Sequence, residues 1–253
     1  MPRFAANLST LWTGLPMEQR PAAAAAAGFE WVEVLFPYDL DAAAFRQNLL
    51  RQGLSLVLMN GPPPNYTGGS RGFAAVPGGE ARFAGDLRRV LRYAALLRPR
   101  HVHLMAGTAE GPEARAALVA NLRAACAAAP KQSFTIEPIS PEVAPGYFLS
   151  DFDLAAEVVQ EVGADNLGLQ FDAYHAHLIT GDVPGTWERM RAITRHVQFA
   201  DAPGRGPPGS GEIDLPGFFA RLDADGYGGL VAAEYRPEGE TEATLGWLPA
   251  QRA

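Results

Sequence analysis

Eight short runs of β-forming residues alternate along this chain with eight runs that favour helix, and few architectures accept that order. The strand-like runs are 3–9 (RFAANLS), 29–37 (FEWVEVLFP), 54–61 (LSLVLMNG), 101–107 (HVHLMAG), 133–139 (SFTIEPI), 167–174 (LGLQFDAY), 197–201 (VQFAD) and 230–235 (LVAAEY). The helical runs are 16–27, 41–52, 80–97, 111–129, 150–162, 184–195, 215–225 and 240–248. Gly28 and Gly53 stop the first two, Ser150 or Asp151 caps the fifth, and Pro184 suits the first turn of the sixth. Repeats of this kind specify a parallel sheet. Eight of them in 253 residues fill one α/β domain, a closed (β/α)8 TIM barrel spanning 1–253. A doubly wound open sheet competes with that reading, but no G-x-G-x-x-G follows the first strand.

Charge and composition narrow the partners. A formal net charge of -7 argues against nucleic acid or an anionic membrane surface. Cys126 is the one cysteine, so no disulfide forms within the chain, which fits a reducing, cytoplasmic setting. No basic leader with an apolar run and cleavage site is visible, and no run nears ~18 uninterrupted apolar residues. Homo-oligomerisation is left open. The Gly- and Pro-dense stretches 60–79 and 196–214 read as long ordered loops, the first as a cover or lid over a site.

In a barrel of this kind the C-terminal strand ends share one rim, where the chemistry lies. Glu137, Asp172, Gln198 and Glu234 stand late in the fifth, sixth, seventh and eighth strands, each among apolar neighbours. One such carboxylate alone is ordinarily a loop cap or surface ion pair. Four polar residues at equivalent depth in successive strands form a constellation, and three carboxylates in a partly buried mouth repel unless protonated or neutralised. A divalent cation meets that need, and three carboxylates with one amide oxygen suit Mg²⁺ or Mn²⁺. His175, three residues after Asp172 on a strand that curls into a loop, can face the same mouth. Arg205 in the seventh loop can fix a carboxylate or a sugar hydroxyl. His103, Glu33 and Asn7 are weaker substrate-binding candidates, and His177 reads as a hydrogen-bonded structural histidine.

EPI at 137–139, PGYF at 145–148, QFDAYH at 170–175 and HVQFADAPGRGPPGSGEID at 196–214 resemble the hydroxypyruvate isomerase family, as do GFEWVEVLFPYD at 28–39 and AAEYRP at 232–237. The resemblance runs from Phe4 to about Pro237. It implies a xylose-isomerase-like TIM barrel, a group that also holds ketose 3-epimerases and a DNA-repair endonuclease branch. It implies divalent-metal ligands at Glu137, Asp172, Gln198 and Glu234, an acid/base pair at Glu137 and Glu234, and substrate contacts at His175 and Arg205. The implied reaction converts hydroxypyruvate to tartronate semialdehyde in glyoxylate and carbohydrate metabolism, with no organic cofactor.

Two positions depart from the family pattern: Ser140 stands where Asn is usual after EPI, and Val143 where an acid is usual, with Glu142 beside it. These departures bear on the substrate. A 2-oxo-tetronate isomerase and a ketose 3-epimerase would use the same machinery, and a non-catalytic sugar-acid binding protein is the alternative of another class. The endonuclease branch needs a His-rich multi-zinc cluster and a basic groove, which five histidines and an acidic balance do not supply.

Overall fold

The apolar runs become the staves of a closed barrel. The computed structural model describes residues 2–63 and 71–248. Its strands are β1 (Arg3–Asn7), β2 (Trp31–Glu33), β3 (Ser55–Asn60), β4 (His101–His103), β5 (Ser133–Ile136), β6 (Leu167–Asp172), β7 (Thr194–Phe199) and β8 (Leu230–Ala233). All pair in parallel and in chain order, and β8 returns to β1. The helices are α1 (Arg20–Ala26), α2 (Ala42–Arg51), α3 (Glu80–Leu97), α4 (Gly111–Ala128), α5 (Phe152–Val162), α6 (Ala173–Thr180), α7 (Val183–Met190) and α8 (Leu215–Ala224).

Strands buried on both faces read as near-continuous apolar runs, and β6 (LGLQFD) is buried at every position. Outward side chains pack on the helices. There Phe171, Trp187 and Phe218 meet with ring centroids 5.5–5.9 Å apart, and Trp187 Nε1 donates to Asp225 Oδ2 at 2.8 Å. Asp151 caps α5 by accepting from Leu154 N, and Pro184 lies in the first turn of α7.

Two expectations need correction. The sixth strand does not run to 174 and curl into a loop. It ends at Asp172, whose side chain accepts from Tyr174 N at 2.9 Å and caps α6. The helix 240–248 is replaced by a short 3-10 turn, Thr241–Thr244. Trp12 captures that segment: its N–H donates to Thr241 Oγ1 and its Nε1 to Glu242 Oε1, each at 2.7 Å.

The expected lid at 60–79 lies partly outside the described residues, at 64–70. From Gly72 the chain lies against the exit of β4. Ala74 N and Ala75 N donate to Met105 O and Ala106 O, and both alanines are fully buried. Gly72 has φ +95, and a Cβ there would collide with Met105 O.

Candidate active site

Successive side chains of a strand point to opposite faces, so residues two apart line one face. In this barrel that inner face is polar over much of its height. Asn7, Glu33, His101 with His103, Thr135 with Glu137, Gln170 with Asp172, His196 with Gln198, and Glu234 are all buried. Their contacts cross the lumen. Gln198 Nε2 on β7 donates to Glu33 Oε2 on β2 at 2.9 Å, and Asn7 Nδ2 donates to the same oxygen at 3.0 Å. His196 Nε2 is in hydrogen-bond contact with Glu33 Oε1. Gln170 Nε2 divides its two hydrogens between Glu137 Oε2 at 3.0 Å and Gln198 Oε1 at 2.6 Å, while Gln170 Oε1 accepts from Thr135 Oγ1 at 3.1 Å. Gln198 Nε2 also donates to Glu234 Oε2.

Asp172 is the last residue of β6 and pairs in register with Gln198. Glu137 and Glu234 directly follow the ends of β5 and β8. The four positions expected to share a rim therefore do so. Arg205 enters from the loop after β7. Its Nη2 lies 3.0 Å from Asp172 Oδ2 and 2.9 Å from Glu234 Oε1, and its Nε donates to Glu234 O at 3.0 Å. Its Nη1 is 3.3 Å from His175 Nε2, and the guanidinium lies over the Tyr174 ring, 5.0 Å from the centroid.

That loop is built on Asp201, which is fully buried. Its carboxylate accepts from the main-chain N–H of Ala202, Gly209, Gly211 and Ile213, each at 2.9 Å. Asp201 and Gly206 also exchange both main-chain hydrogen bonds. Arg205 itself sits at φ +59, a conformation a free loop would rarely hold.

The electrostatics follow from burial. Glu137 is pushed well above the ordinary carboxylate range, first by desolvation and then by the charges of Asp172 and Glu234. Glu234 is raised to about 8 by burial; Arg205 opposes the shift while Asp172 and Glu33 add to it. Glu33 is likewise raised to about 8 by burial, against its hydrogen bonds from Gln198 and Asn7. Burial costs Arg205 its charge less than Glu234 and Asp172 secure it, and its pKa rises. Burial keeps His175 neutral, lowered to about 4, and His103, lowered to about 3.

Without a cation Glu137 and Glu234 resist ionisation; ionised together with Asp172 around one guanidinium, they would carry excess negative charge, which a divalent cation would neutralise. Carboxylate oxygens of Glu137 and Asp172 and a ring nitrogen of His175 lie within 4.8 Å of one another. With Gln198 and Glu234 adjoining, the donor set is mostly oxygen and fits a hard cation.

The remaining candidates divide. His175 stands in the first turn of α6, with Nε2 3.8 Å from Asp172 Oδ2. His103 places Nδ1 3.5 Å from Glu137 Oε2 and has no hydrogen-bond partner among the described residues. Asn7 and Glu33 are fully buried; Glu33 accepts from Asn7 and Gln198 and is in hydrogen-bond contact with His196. Their hydrogen bonds tie β1 and β2 to the β7 side of the site. His177 lies 3.8 Å from Glu212 on the groove between α6 and α8. Gln170, His196 and Asp201 were not singled out as site residues from sequence. The i, i+2 spacing of Gln170 with Asp172 and of His196 with Gln198 is the signal that marks the first two.

A model of the xylose isomerase-like TIM barrel family matches residues 21–251. A 2-oxo-tetronate isomerase of Cupriavidus necator is 44% identical over 98% of this chain and 98% of its own. The hydroxypyruvate isomerase of Escherichia coli is 34% identical over the full length of both. Among solved structures, that of an AP endonuclease, family 2, from Brucella melitensis superposes with a TM-score of 0.94 at 39% identity, covering 98% of each chain.

Proposed function

This chain belongs to the xylose isomerase-like TIM barrel family and is an isomerase, and from that premise we propose that it interconverts the ketone and aldehyde forms of a small hydroxy-oxo acid. The observation that carries the reading is the guanidinium of Arg205 fixed beside two buried carboxyls, Asp172 and Glu234. A cation so placed selects an acid, and a carboxyl with a raised pKa exchanges protons near neutral pH. Hydroxypyruvate, giving tartronate semialdehyde, is the first candidate. A 2-oxo-tetronate, one carbon longer, is the second, favoured by the 44% identity to an enzyme of that name.

Glu137, Asp172, Gln198 and Glu234 would hold Mg²⁺ or Mn²⁺. Such an ion, when bound, supplies Lewis-acid charge that favours an enediolate over the neutral ketone. Arg205 holds the substrate carboxylate, and its stacking on Tyr174 and bond to Glu234 O limit its freedom. One of Glu137 and Glu234 removes the proton from the carbon beside the carbonyl and the other returns a proton to the neighbouring carbon, while the hydroxyl proton of the first carbon passes to the former carbonyl oxygen. His175 donates a hydrogen bond to the oxygen where charge develops.

The test is an isomerase assay with hydroxypyruvate, a four-carbon 2-oxo acid and free ketoses, each with Mg²⁺, Mn²⁺ or EDTA. Turnover of an acid, abolished by EDTA and restored by either ion, is expected. Turnover of neutral ketoses alone would assign a 3-epimerase-like activity. Absence of solvent deuterium exchange into every bound acid would leave a binding protein.

A further inference from the structure

The imidazole of His175 faces hydrogen-bond donors on both sides. The main-chain N–H of Ser140 donates to Nδ1 at 3.2 Å, and Arg205 Nη1 stands 3.3 Å from Nε2. A neutral imidazole has one N–H and one lone pair, so it accepts from only one of these two.

Four features decide between them. Ser140 is 2% exposed, and its N–H would bear the full desolvation penalty if it lost its acceptor. Its direction is also fixed: Ser140 O accepts from Val143 N and Ala144 N, and Ser140 Oγ accepts from Glu142 N, so residues 140–144 form one closed turn. On the other side, Asp172 Oδ2 lies 3.8 Å from Nε2 and already acts as an acceptor toward Arg205 Nη2; an acceptor oxygen attracts an N–H and repels a lone pair. Arg205 keeps three other hydrogen bonds through Nε and Nη2 without His175.

We infer that the main-chain amide of Ser140 locks His175 in the Nε2–H tautomer, making the ring a fixed hydrogen-bond donor that serves neither as a general base nor as a metal ligand. Ser140 is thereby a positioning residue. The inference rests on the isomerase reading and sharpens it. By distance alone His175 belongs with Glu137 and Asp172 as a cation ligand; an Nε2 that carries hydrogen has no lone pair to give, and the ligand set becomes all oxygen. It also leaves Nε2–H and Arg205 Nη1–H as two donors facing each other with no acceptor between them. A shared anionic oxygen of the substrate relieves that opposition.

The experiment is ¹⁵N-histidine NMR on the full-length protein at neutral pH, with His175→Gln identifying the His175 signals among five histidines. Spectra are taken alone and with Mg²⁺ or Zn²⁺. A pyridine-type Nδ1 and pyrrole-type Nε2, unchanged by either ion, are expected. A pyrrole-type Nδ1, an imidazolium, or an Nε2 that loses its hydrogen on adding the ion would each overturn the inference. Ser140→Pro, which deletes the N–H, should mix the two tautomers, and Ser140→Ala, which keeps it, should not. Should the proline variant fail to fold, the wild-type spectrum still decides. No turnover is required, so failure of the isomerase assay and failure of the tautomer assignment are seen separately.

Discussion

Arg205 grips Glu234 twice, with Nη2 on the carboxyl at 2.9 Å and Nε on the main-chain oxygen at 3.0 Å. The chain returns the contact two residues later, where Arg236 N donates to Arg205 O at 2.7 Å. The end of β8 and the loop after β7 are thus joined through three bonds, and the side chain proposed to choose the substrate is tied to one proposed to move its proton.

Arg205→Ala should raise KM for acid substrates roughly 10- to 100-fold, the worth of one charge-assisted hydrogen bond. Neutral ketoses should lose much less. Arg205→Lys keeps the charge without the planar fork and should fall between. Steady-state kinetics on both substrate classes decides, and equal losses would mean that the guanidinium does not hold a carboxylate.

Glu137→Gln and Glu234→Gln should each lower kcat by about 10²–10⁴, the usual contribution of a positioned acid or base. Neither should lower Tm at pH 6, where each variant replaces a buried carboxyl held in its neutral form with a neutral amide. Turnover measured beside circular-dichroism melts checks both halves. Full activity in either variant would remove that residue from the acid/base pair.

Asp201→Ala deprives four main-chain N–H groups of their acceptor. Each such group costs about 1–3 kcal/mol when buried and unpaired. Solvent would recover part of this, and we expect a loss on the order of 3 kcal/mol in urea unfolding. KM for acids should rise as it does in Arg205→Ala. A change below about 0.5 kcal/mol, the scale of ordinary surface substitutions, would show that other contacts hold the loop.

His101, at the start of β4, is lowered to about 2 by burial, with the neighbouring His196 adding to the shift; its Nδ1 is 2.9 Å from Ser133 Oγ. Below an ordinary histidine pKa the unfolded chain takes up this proton and the folded chain does not. The group's contribution is therefore constant above about pH 6.5 and falls as pH drops from there, by up to about 1.4 kcal/mol per unit. His101→Gln should flatten the decline between pH 6.5 and 4.5 relative to wild type. Parallel stability curves for the two proteins would count against it.

The barrel was legible because each strand carries its own burial signal and the strands follow one another at regular spacing. The helix α6 was not. AYHAHLIT is apolar on most sides and follows an apolar strand without a Gly or Pro between them, so nothing local marks the change of period. The marker is Asp172, which was read for its charge and serves as a cap as well. The end of the chain misled for another reason: Glu240–Leu248 has helical residues, but Trp12, over 200 residues away, holds Thr241 and Glu242. The placement of Glu137, Asp172, Gln198 and Glu234 at or beside the ends of β5 to β8 was legible in the strand pattern. The bonds linking Glu33, Gln198 and Gln170 were not legible, since they span strands distant in sequence and meet only when the barrel closes.

The hub at Asp201 gives the seventh loop the properties of a cassette. Residues 202–213 close their main-chain bonds largely on the aspartate at their entrance, and Gly211 approaches so closely that a Cβ would strike Ala202 O. A segment that carries its own scaffold can be exchanged whole. Diversification of substrate preference in such a barrel would then be open to the transfer of one short loop, while the strand-borne carboxyls proposed to move protons stay as they are.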